Sequence, residues 1–181
     1  MRIIAGKFRG RQLECPKLVT RPTLDRVREA LFSILGDLTD QNVVDLYAGS
    51  GALGLEALSR GARQVTLVEA DRAAADVIRK NGSFAEPGSV RVVQTAVEKA
   101  RGALSGIGLI DLVLADPPWK ISAEAARVVP ELVKGLLSPG ATLVLGHASR
   151  EALMLDAGSG FKLDRCRTWG DSALSFVSQS G

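Results

Sequence analysis

The spacing of apolar residues along the chain changes near residue 40. Before that point, apolar residues recur every three or four positions, which predicts an amphipathic helix that begins after an N-cap at Thr23 and ends at Gly36. The residues that set this spacing are Leu24, Val27, Leu31, Ile34 and Leu35.

Beyond Asp40, short β-branched runs alternate with helical stretches, a pattern typical of a parallel sheet covered by helices on both faces. The predicted strands are Val43–Tyr47, Val65–Glu69, Val90–Gln94, Asp111–Asp116 and Ala141–Gly146. The predicted helices between them are Ala52–Arg60, Arg72–Gly82, Val97–Leu104 and Ala123–Leu137. Phe161–Cys166 and Ala173–Ser178 predict a further strand pair at one sheet edge. We therefore expect one α/β domain over residues 23–181.

Residues 1–22 predict a small extension to this domain. Arg2–Ala5 and Arg11–Glu14 are interpreted as two short strands of a flexible hairpin around the turn-prone Lys7–Gly10, and Cys15–Pro22 as a linker. Residues 1–28 carry eight basic and two acidic side chains, so this segment is +6 while the rest of the chain is −3. Such cations can bind RNA phosphates, although a solvated basic surface is the alternative. The hairpin candidates are Arg2, Lys7, Arg9 and Arg11.

Composition excludes several other classes of protein. Apolar residues make up 46% and charged residues 24% of the 181 positions, which are ordinary globular values and exclude disordered and fibrous chains. No apolar run approaches bilayer length, and the first residues lack the apolar core of a signal peptide, so we expect a cytoplasmic protein. Cys15 and Cys166 are far apart and accompanied by one histidine, which supports neither a disulfide framework nor a metal site.

A glycine-rich turn joins the first sheet strand to its helix, in the run Asp45-Leu46-Tyr47-Ala48-Gly49-Ser50-Gly51-Ala52-Leu53-Gly54. Gly49, Gly51 and Gly54 match the dinucleotide fingerprint, so the glycines alone do not name the cofactor. Asp45 would crowd a pyrophosphate but suits the cationic S-adenosylmethionine, and Glu69 can accept both ribose hydroxyls of either cofactor. A packing turn and a capping role for Asp45 remain the structural alternatives.

The run Asp116-Pro117-Pro118-Trp119 follows another buried strand and is the most specific motif in the chain. The two prolines stiffen the loop, while the Asp116 carboxylate and the Pro117 carbonyl are acceptors for the two N–H groups of an exocyclic base amine. Trp119 can stack on the base. A strand end terminated by prolines, with Trp119 filling a gap, is the alternative. The motif favours methyl transfer over hydride transfer.

Together these motifs resemble the bacterial 16S ribosomal RNA guanine-N2 methyltransferase family. The similarity covers most of the chain, including Arg2–Gly6, Arg9–Arg11, Thr20–Thr23 and Asp25–Phe32, the glycine loop, Glu56–Ala62, Glu69 and Asn81. The resemblance implies a Rossmann-like class I methyltransferase fold with a seven-stranded sheet. It also implies methyl transfer from S-adenosylmethionine to 16S ribosomal RNA, within an assembling small ribosomal subunit.

The resemblance also implies roles for individual residues. The catalytic set around the target guanine is Asp116, Pro117, Pro118 and Trp119. The cofactor-binding set is Asp45, Tyr47, Ala48, Gly49, Ser50, Gly51, Glu69, Thr95 and Ala96, of which Thr95 and Ala96 would flank the adenine. Arg21 and Thr23 join the RNA-binding set by the same resemblance. Thr95 departs from the acidic or amide residue expected at its position.

Three other functions remain open from the sequence. An adenine-N6 methyltransferase acting on DNA would use the same Asp-Pro-Pro-aromatic loop, and a nicotinamide oxidoreductase would use the same glycine loop. A non-catalytic RNA-binding assembly factor would keep the fold alone. We expect a monomer without a metal, and we assign no catalytic role to His147.

Overall fold

The computed structural model describes residues 1–16 and 25–180. The described strands are β1 (Asn42–Leu46), β2 (Gln64–Glu69), β3 (Val90–Gln94), β4 (Ile110–Ala115), β5 (Leu137–Ala148), β6 (Phe161–Trp169) and β7 (Ser172–Gln179). The described helices are α1 (Asp25–Leu35), α2 (Ala52–Ser59), α3 (Arg72–Asn81), α4 (Arg101–Leu104) and α5 (Ser122–Val133). The predicted N-cap Thr23 lies outside the described residues.

The seven strands form one sheet in the order β3-β2-β1-β4-β5-β7-β6. The pairs among β1 to β5 are parallel, and β7 runs antiparallel to both β5 and β6. The prediction of a mostly parallel α/β sheet with an edge pair at its end is confirmed. Because the strand order reverses between β1 and β4, their carboxyl ends frame the crevice where such sheets bind ligands.

Two apolar layers hold the helices to the sheet. Apolar side chains of α1, α2 and α3 pack on one face, where Leu31 and Ile78 are in one core cluster with Leu114 and Phe176. On the other face α4 and α5 pack against the alternate residues of the same strands. The central strand β1 is buried at all five positions, as expected for a parallel strand covered on both sides.

Two predicted helices have different bounds in the structure. The helix predicted at Val97–Leu104 is divided into a 3₁₀ turn at Val97–Lys99 and the short α4. The helix predicted at Ala123–Leu137 ends at Val133, two residues before Gly135. Gly135 has φ +76°, a backbone conformation that glycine adopts readily and that a helix cannot continue through. The chain then enters β5 at Leu137, earlier than predicted.

The predicted hairpin strands Arg2–Ala5 and Arg11–Glu14 are wrong as regular strands, because a single antiparallel bridge joins Arg2 to Gln12. The segment is held by α2 instead. The fully buried Glu56 carboxylate accepts hydrogen bonds from the backbone N–H of Ile4 at 2.7 Å and of Ala5 at 3.0 Å. These contacts replace part of the ladder that a regular hairpin would have had.

Ser59 and Gly6 bring the N-terminal segment close to α2. The Ser59 hydroxyl donates to the Ala5 carbonyl at 2.5 Å and accepts from the Phe8 N–H at 2.9 Å. A Cβ added at Gly6 would lie 1.8 Å from the Ser59 carbonyl oxygen, so this approach requires glycine. Ile3 and Leu13 add apolar contacts to Leu55. The segment is therefore anchored to α2, contrary to the flexible hairpin expected from its sequence.

Asn81, at the end of α3, connects the N-terminal segment to the glycine loop. Its side-chain oxygen accepts from the Glu14 N–H at 2.8 Å, and its amide nitrogen donates to the carbonyls of Glu14 and Ser50, each at 2.9 Å. Asn81 is buried, so these contacts are shielded from competing water.

None of the helices that the structure describes is long and apolar enough to cross a membrane. Within residues 1–16 and 25–180, no group of three or more His, Cys, Asp or Glu side chains is arranged to hold a metal ion.

Removal of the Glu56 carboxylate is expected to destabilise the fold. The Glu56 carboxylate accepts hydrogen bonds from the N–H groups of Ile4 and Ala5, and it also pairs with the Arg60 guanidinium at 2.8 Å. Glu56→Ala leaves these donors unsatisfied, so we expect a loss of about 3 kcal/mol in the free energy of unfolding, measured by urea denaturation. The matched control Glu131→Ala removes an exposed carboxylate and should change stability by less than about 0.5 kcal/mol. Equal losses in the two variants would contradict the anchoring role of Glu56.

Candidate active site

A crevice of about 1160 Å³ opens at the carboxyl ends of the parallel strands. It brings together the two motifs that the sequence analysis singled out. Gly49 and Glu69 line one part, and Asp116 and Trp119 line another. The two motifs meet because β1 pairs directly with both β2 and β4, whose ends carry Glu69 and Asp116.

The glycine loop turns through left-handed backbone conformations. Tyr47 has φ +59°, Gly49 φ +57° and Gly51 φ +78°. Tyr47 is not a glycine, and such a conformation costs a residue of its type on the order of 1–2 kcal/mol. The loop is held by a hydrogen bond from the Ala48 N–H to the Val68 carbonyl at 3.1 Å. This turn lets the backbone at Gly49 border the crevice.

Gly51 and Gly54 serve packing at the start of α2. A Cβ at either position would lie 3.0 Å from a methyl carbon of Leu67, and one at Gly54 would also lie 3.2 Å from the Asp45 carboxylate. Neither glycine borders the crevice. These two glycines of the fingerprint thus allow α2 to approach the sheet closely.

The Glu69 carboxylate is held in place by two backbone donors. The Gly49 N–H donates to one oxygen at 2.8 Å, and the Asp71 N–H donates to the other at 2.9 Å. Each carboxylate oxygen can accept further hydrogen bonds. Glu69 is therefore a fixed, crevice-facing acceptor suited to a pair of hydroxyl groups. Asp71 has a separate task, because its side chain caps α3 by accepting from the Ala74 N–H at 2.8 Å.

Asp45 lies below the loop and does not border the crevice. Its side chain is buried, and one oxygen accepts from the Gly54 N–H at 2.8 Å, which satisfies one of the free donors at the start of α2. Burial is the main cause that raises the pKa of Asp45 to about 7, with smaller contributions from the carboxylates of Asp116 and Glu69. The capping contact, an alternative left open by the sequence, is present.

The lining of the crevice is rich in carboxylates. It includes those of Glu69, Asp71, Glu98, Asp116 and Glu151. Burial, followed by the charges of Glu98 and Glu124, raises the pKa of Tyr47 to about 12, so its hydroxyl stays protonated. The lining also includes two basic residues, Lys120 and Arg150, so acidic residues outnumber basic ones by five to two. This excess of negative charge favours a cationic ligand over a pyrophosphate.

The Asp116 side chain lies against β5 at Gly146. A Cβ added at Gly146 would lie 2.3 Å from Oδ1 of Asp116 and 3.3 Å from its Cα. Any larger residue at position 146 would therefore displace the Asp116 carboxylate. Gly146 has ordinary strand geometry, so the requirement for glycine here comes from this contact alone.

The rest of the Asp-Pro-Pro-Trp loop opens toward the crevice. Pro117 is buried, Pro118 exposed and Trp119 half-buried, and all three border the crevice. The Ser122 hydroxyl lies 2.8 Å from the Trp119 carbonyl and 2.8 Å from the Glu151 carboxylate, which ties this loop to the one after β5.

The predicted site residues divide into two groups. The catalytic set Asp116, Pro117, Pro118 and Trp119 borders the crevice in full, together with four of the cofactor set, Tyr47, Gly49, Glu69 and Ala96. Five cofactor candidates do not border it: Asp45, Ala48, Ser50, Gly51 and Thr95. The Ser50 hydroxyl is turned toward the Met1 sulfur at 3.4 Å.

The predicted RNA-binding residues have different surroundings. Lys7 pairs with Glu86 at 2.8 Å, and the Arg11 guanidinium stacks on Phe84 at 4.3 Å. Arg2 and Arg9 border a separate depression of about 220 Å³. Arg21 and Thr23 lie outside the described residues.

Other crevice residues were not predicted from the sequence. Glu98 borders the crevice, three residues beyond Thr95, which does not. His147 borders the crevice, but its two ring nitrogens lie 3.0 Å from the Ala148 carbonyl and 2.9 Å from the Ser175 hydroxyl. Arg150 and Ser172–Leu174 complete the side formed by β5 and β7. Their sequence carries no motif, so only the strand pairing could place them there.

The chain matches the family described as Conserved hypothetical protein 95 over residues 1–178. It is 45% identical to "Ribosomal RNA small subunit methyltransferase D" of Escherichia coli K12 over 66% of this chain and 61% of that protein. That match thus spans less than two thirds of the relative's length. "Putative rRNA methyltransferase YlbH" of Bacillus subtilis is 30% identical over the full length of both chains.

Solved structures agree with the fold. "Putative methyltransferase yhhF from Escherichia coli" superposes with a TM-score of 0.81 at 33% identity, covering 99% of this chain and 97% of that one. A hypothetical protein of Thermus thermophilus superposes with a TM-score of 0.80 at 30% identity, covering 97% of this chain and 98% of that one.

The buried Asp45 predicts a pH dependence of stability. Its folded-state pKa of about 7 lies above its ordinary value of 3.8, so folding favours the protonated form. The stability that Asp45 contributes is complete below about pH 4 and is lost as the pH rises through 7. Asp45→Asn keeps an acceptor for Gly54 but cannot ionise. Urea unfolding from pH 4 to 8 should show the variant gaining stability relative to the wild type as the pH rises, whereas a constant difference would contradict the raised pKa.

Proposed function

The chain belongs to the family described as Conserved hypothetical protein 95, and on that basis we propose that it is an S-adenosylmethionine-dependent methyltransferase that modifies N2 of a guanine in 16S ribosomal RNA. The observation that carries the proposal is the crevice in which Glu69 and Gly49 lie together with Asp116 and Trp119. The names of the relatives support methylation of ribosomal RNA, and the choice of a guanine amino group rests on the chemistry of these residues and on the family resemblance.

The charge of the crevice supports S-adenosylmethionine over a nicotinamide dinucleotide. The cofactor carries an ammonium and a sulfonium, whereas a dinucleotide carries a pyrophosphate that is bound most readily by donors and positive charge. Glu69, Asp71 and Glu98 border this space. S-adenosylmethionine supplies, when bound, a methyl group on a positively charged sulfur.

The residues that border the crevice fit the parts of this cofactor. Glu69, fixed by two backbone N–H groups, would accept the ribose hydroxyls. Ala96 and Val97 offer apolar surface to the adenine, and the backbone at Gly49 allows close approach to the methionine part. Asp45 would act indirectly, because it holds the start of α2 and the loop and its carboxyl group interacts electrostatically with the carboxylates of Asp116 and Glu69.

The Asp116 loop would hold the target amine. An exocyclic amino nitrogen is a poor nucleophile because its lone pair is delocalised into the base. The Asp116 carboxylate and the Pro117 carbonyl would accept its two N–H groups and favour a tetrahedral nitrogen, while Trp119 would stack on the base. The chain then contributes mainly by positioning and electrostatics. Asp116 would also accept the proton that the amine must lose.

The N-terminal segment would bind the RNA backbone. Arg2 and Arg9 are exposed, and Lys7 and Arg11 lie beside them on a segment that Glu56 fixes to the catalytic domain. Arg21 and Thr23 are the other two residues that we propose for RNA binding. Phosphate contacts of this kind increase affinity and fix the position of the protein along the RNA, but they do not recognise the base sequence. We further propose that the substrate is the RNA within an assembling small subunit, and that the enzyme acts as a monomer in the cytoplasm.

Nucleoside analysis tests the reaction. The enzyme is incubated with isotopically labelled S-adenosylmethionine and 16S ribosomal RNA, naked or in small subunits, and the digested RNA is analysed by mass spectrometry. We expect labelled N2-methylguanosine with the wild type and a rate lower by about 10²–10³-fold with Asp116→Ala, because one acceptor for the amine is lost. S-adenosylhomocysteine should still raise the melting temperature of the variant.

Other products would point to other enzymes. N6-methyladenine would contradict the guanine assignment. A relative 31% identical over 80 residues is named "tRNA1(Val) (adenine(37)-N6)-methyltransferase", so adenine is the alternative base to exclude. A melting-temperature shift with NADH and none with S-adenosylhomocysteine would favour an oxidoreductase. Full activity of Asp116→Ala would remove Asp116 from the proposed mechanism.

Gly146→Ala tests the placement of the Asp116 carboxylate. The new methyl group would occupy the space of Oδ1, so we expect kcat to fall by about 10²-fold, while the melting-temperature shift with S-adenosylhomocysteine is retained. Gly102→Ala in α4 is the matched control, since a Cβ there meets nothing within 4 Å. Comparable losses in kcat for the two variants would contradict the positioning role of Gly146.

A further inference from the structure

The edge strand β6 carries a row of cations on one face of the sheet. Lys162, Arg165 and Arg167 pair with Ser178, Phe176 and Leu174, which are alternate residues of β7. Paired residues of neighbouring strands point to the same face, so the three cations share one face. We call these three residues the β6 basic row.

A bulge in β6 creates this row. Lys162 and Arg165 are three positions apart and would lie on opposite faces of a regular strand. The register shifts between Leu163 and Arg165, and the extra residue brings Arg165 back to the face of Lys162. The three charges are therefore spaced by roughly 7 Å along the edge.

The basic row leads to the crevice. Its last member, Arg167, is opposite Leu174, which borders the crevice. A fourth cation, Arg26 of α1, lies close to the turn between β6 and β7. A Cβ added at Gly170 in that turn would lie 3.5 Å from Nη2 of Arg26. The row and Arg26 thus form a basic surface that ends at the crevice rim.

These cations are exposed and are not neutralised by ion pairs. In the described part of the chain, Lys162, Arg165, Arg167 and Arg26 make no salt bridge, whereas Lys7 of the N-terminal segment is paired with Glu86. The Arg165 guanidinium is oriented by stacking on Phe176, with its central carbon 4.7 Å from the ring centroid. Two carboxylates lie nearby, Asp164, whose oxygen accepts from the Ser178 hydroxyl at 3.0 Å, and the exposed Asp171.

We propose that the β6 basic row and Arg26 form a second RNA-docking surface, which binds backbone phosphates of the substrate beside the crevice rim at Leu174. This inference rests on the proposed function. The ligand is an RNA backbone because these exposed cations have no carboxylate partner in the described part of the chain and match the successive phosphates of a polyanion. RNA bound at this surface would lie next to the crevice that Asp116 borders.

The test compares RNA binding by two double variants. The row variant, Arg165→Gln with Arg167→Gln, removes two charges from the β6 basic row. The control variant, Arg91→Gln with Arg127→Gln, also removes two exposed charges, one from β3 at the opposite edge of the sheet and one from α5. Dissociation constants for 16S ribosomal RNA, naked and in small subunits, are measured from about 50 to 300 mM salt. We expect the row variant to bind about tenfold or more weakly near 150 mM and its salt slope to fall by about 1.5, with the control unchanged.

Each outcome has a distinct meaning. If the wild type methylates the RNA and the row variant, the control and the wild type all bind it with the same affinity and salt slope, this inference is overturned and the proposed function stays intact. Failure of the wild type to bind or methylate the RNA would overturn both. Unchanged melting-temperature shifts with S-adenosylhomocysteine in both variants would show that the cofactor site has been preserved. A row variant that loses RNA affinity and keeps that shift would establish the docking surface.

Discussion

The crowding of carboxylates at one edge of the sheet, together with the burial of one of them, is the constraint on which the rest of the site depends. Asp45, Glu69 and Asp116 approach one another because β1 pairs with both β2 and β4, and burial, with a smaller contribution from repulsion by the other two carboxylates, raises the pKa of Asp45. The chain offsets this repulsion with backbone donors, from Gly54 to Asp45 and from Gly49 and Asp71 to Glu69. What remains is an acid-lined crevice that a positively charged ligand would stabilise.

The functional residues at the strand ends could be predicted from the sequence. Alternation of β-branched and helical runs predicted β1 to β5, and a separate strand-pair signal predicted β6 and β7. Glu69 and the Asp116 loop, both identified as functional candidates at strand ends, border one crevice because parallel strands end at the same edge. The side-chain environments were less predictable. Asp45 and Gly51 belong to the same motif as Gly49, but the close approach of α2 turns them into capping and packing residues.

Features that depend on contacts between distant segments of the chain could not be predicted, because no local sequence pattern records such a contact. The N-terminal segment has the alternation of a hairpin, but its donors at Ile4 and Ala5 are satisfied by Glu56, 52 and 51 positions away in the chain, so no local pattern reveals it. Gly146 carries no signal either, because its role comes from the Asp116 side chain of the neighbouring strand. The bulge that aligns Lys162 with Arg165 likewise depends on the register with β7.

The attachment of the N-terminal segment to α2 has a consequence for synthesis of the chain. The first residues leave the ribosome before Glu56 and Ser59 exist, and Ile4 is 52 positions ahead of its acceptor. At the usual rate of translation, roughly 3 to 10 s pass before this helix has been made. During that time Ile3 and Leu13 have no apolar partner on α2, so this part of the nascent chain exposes a basic, partly apolar segment until α2 has been made.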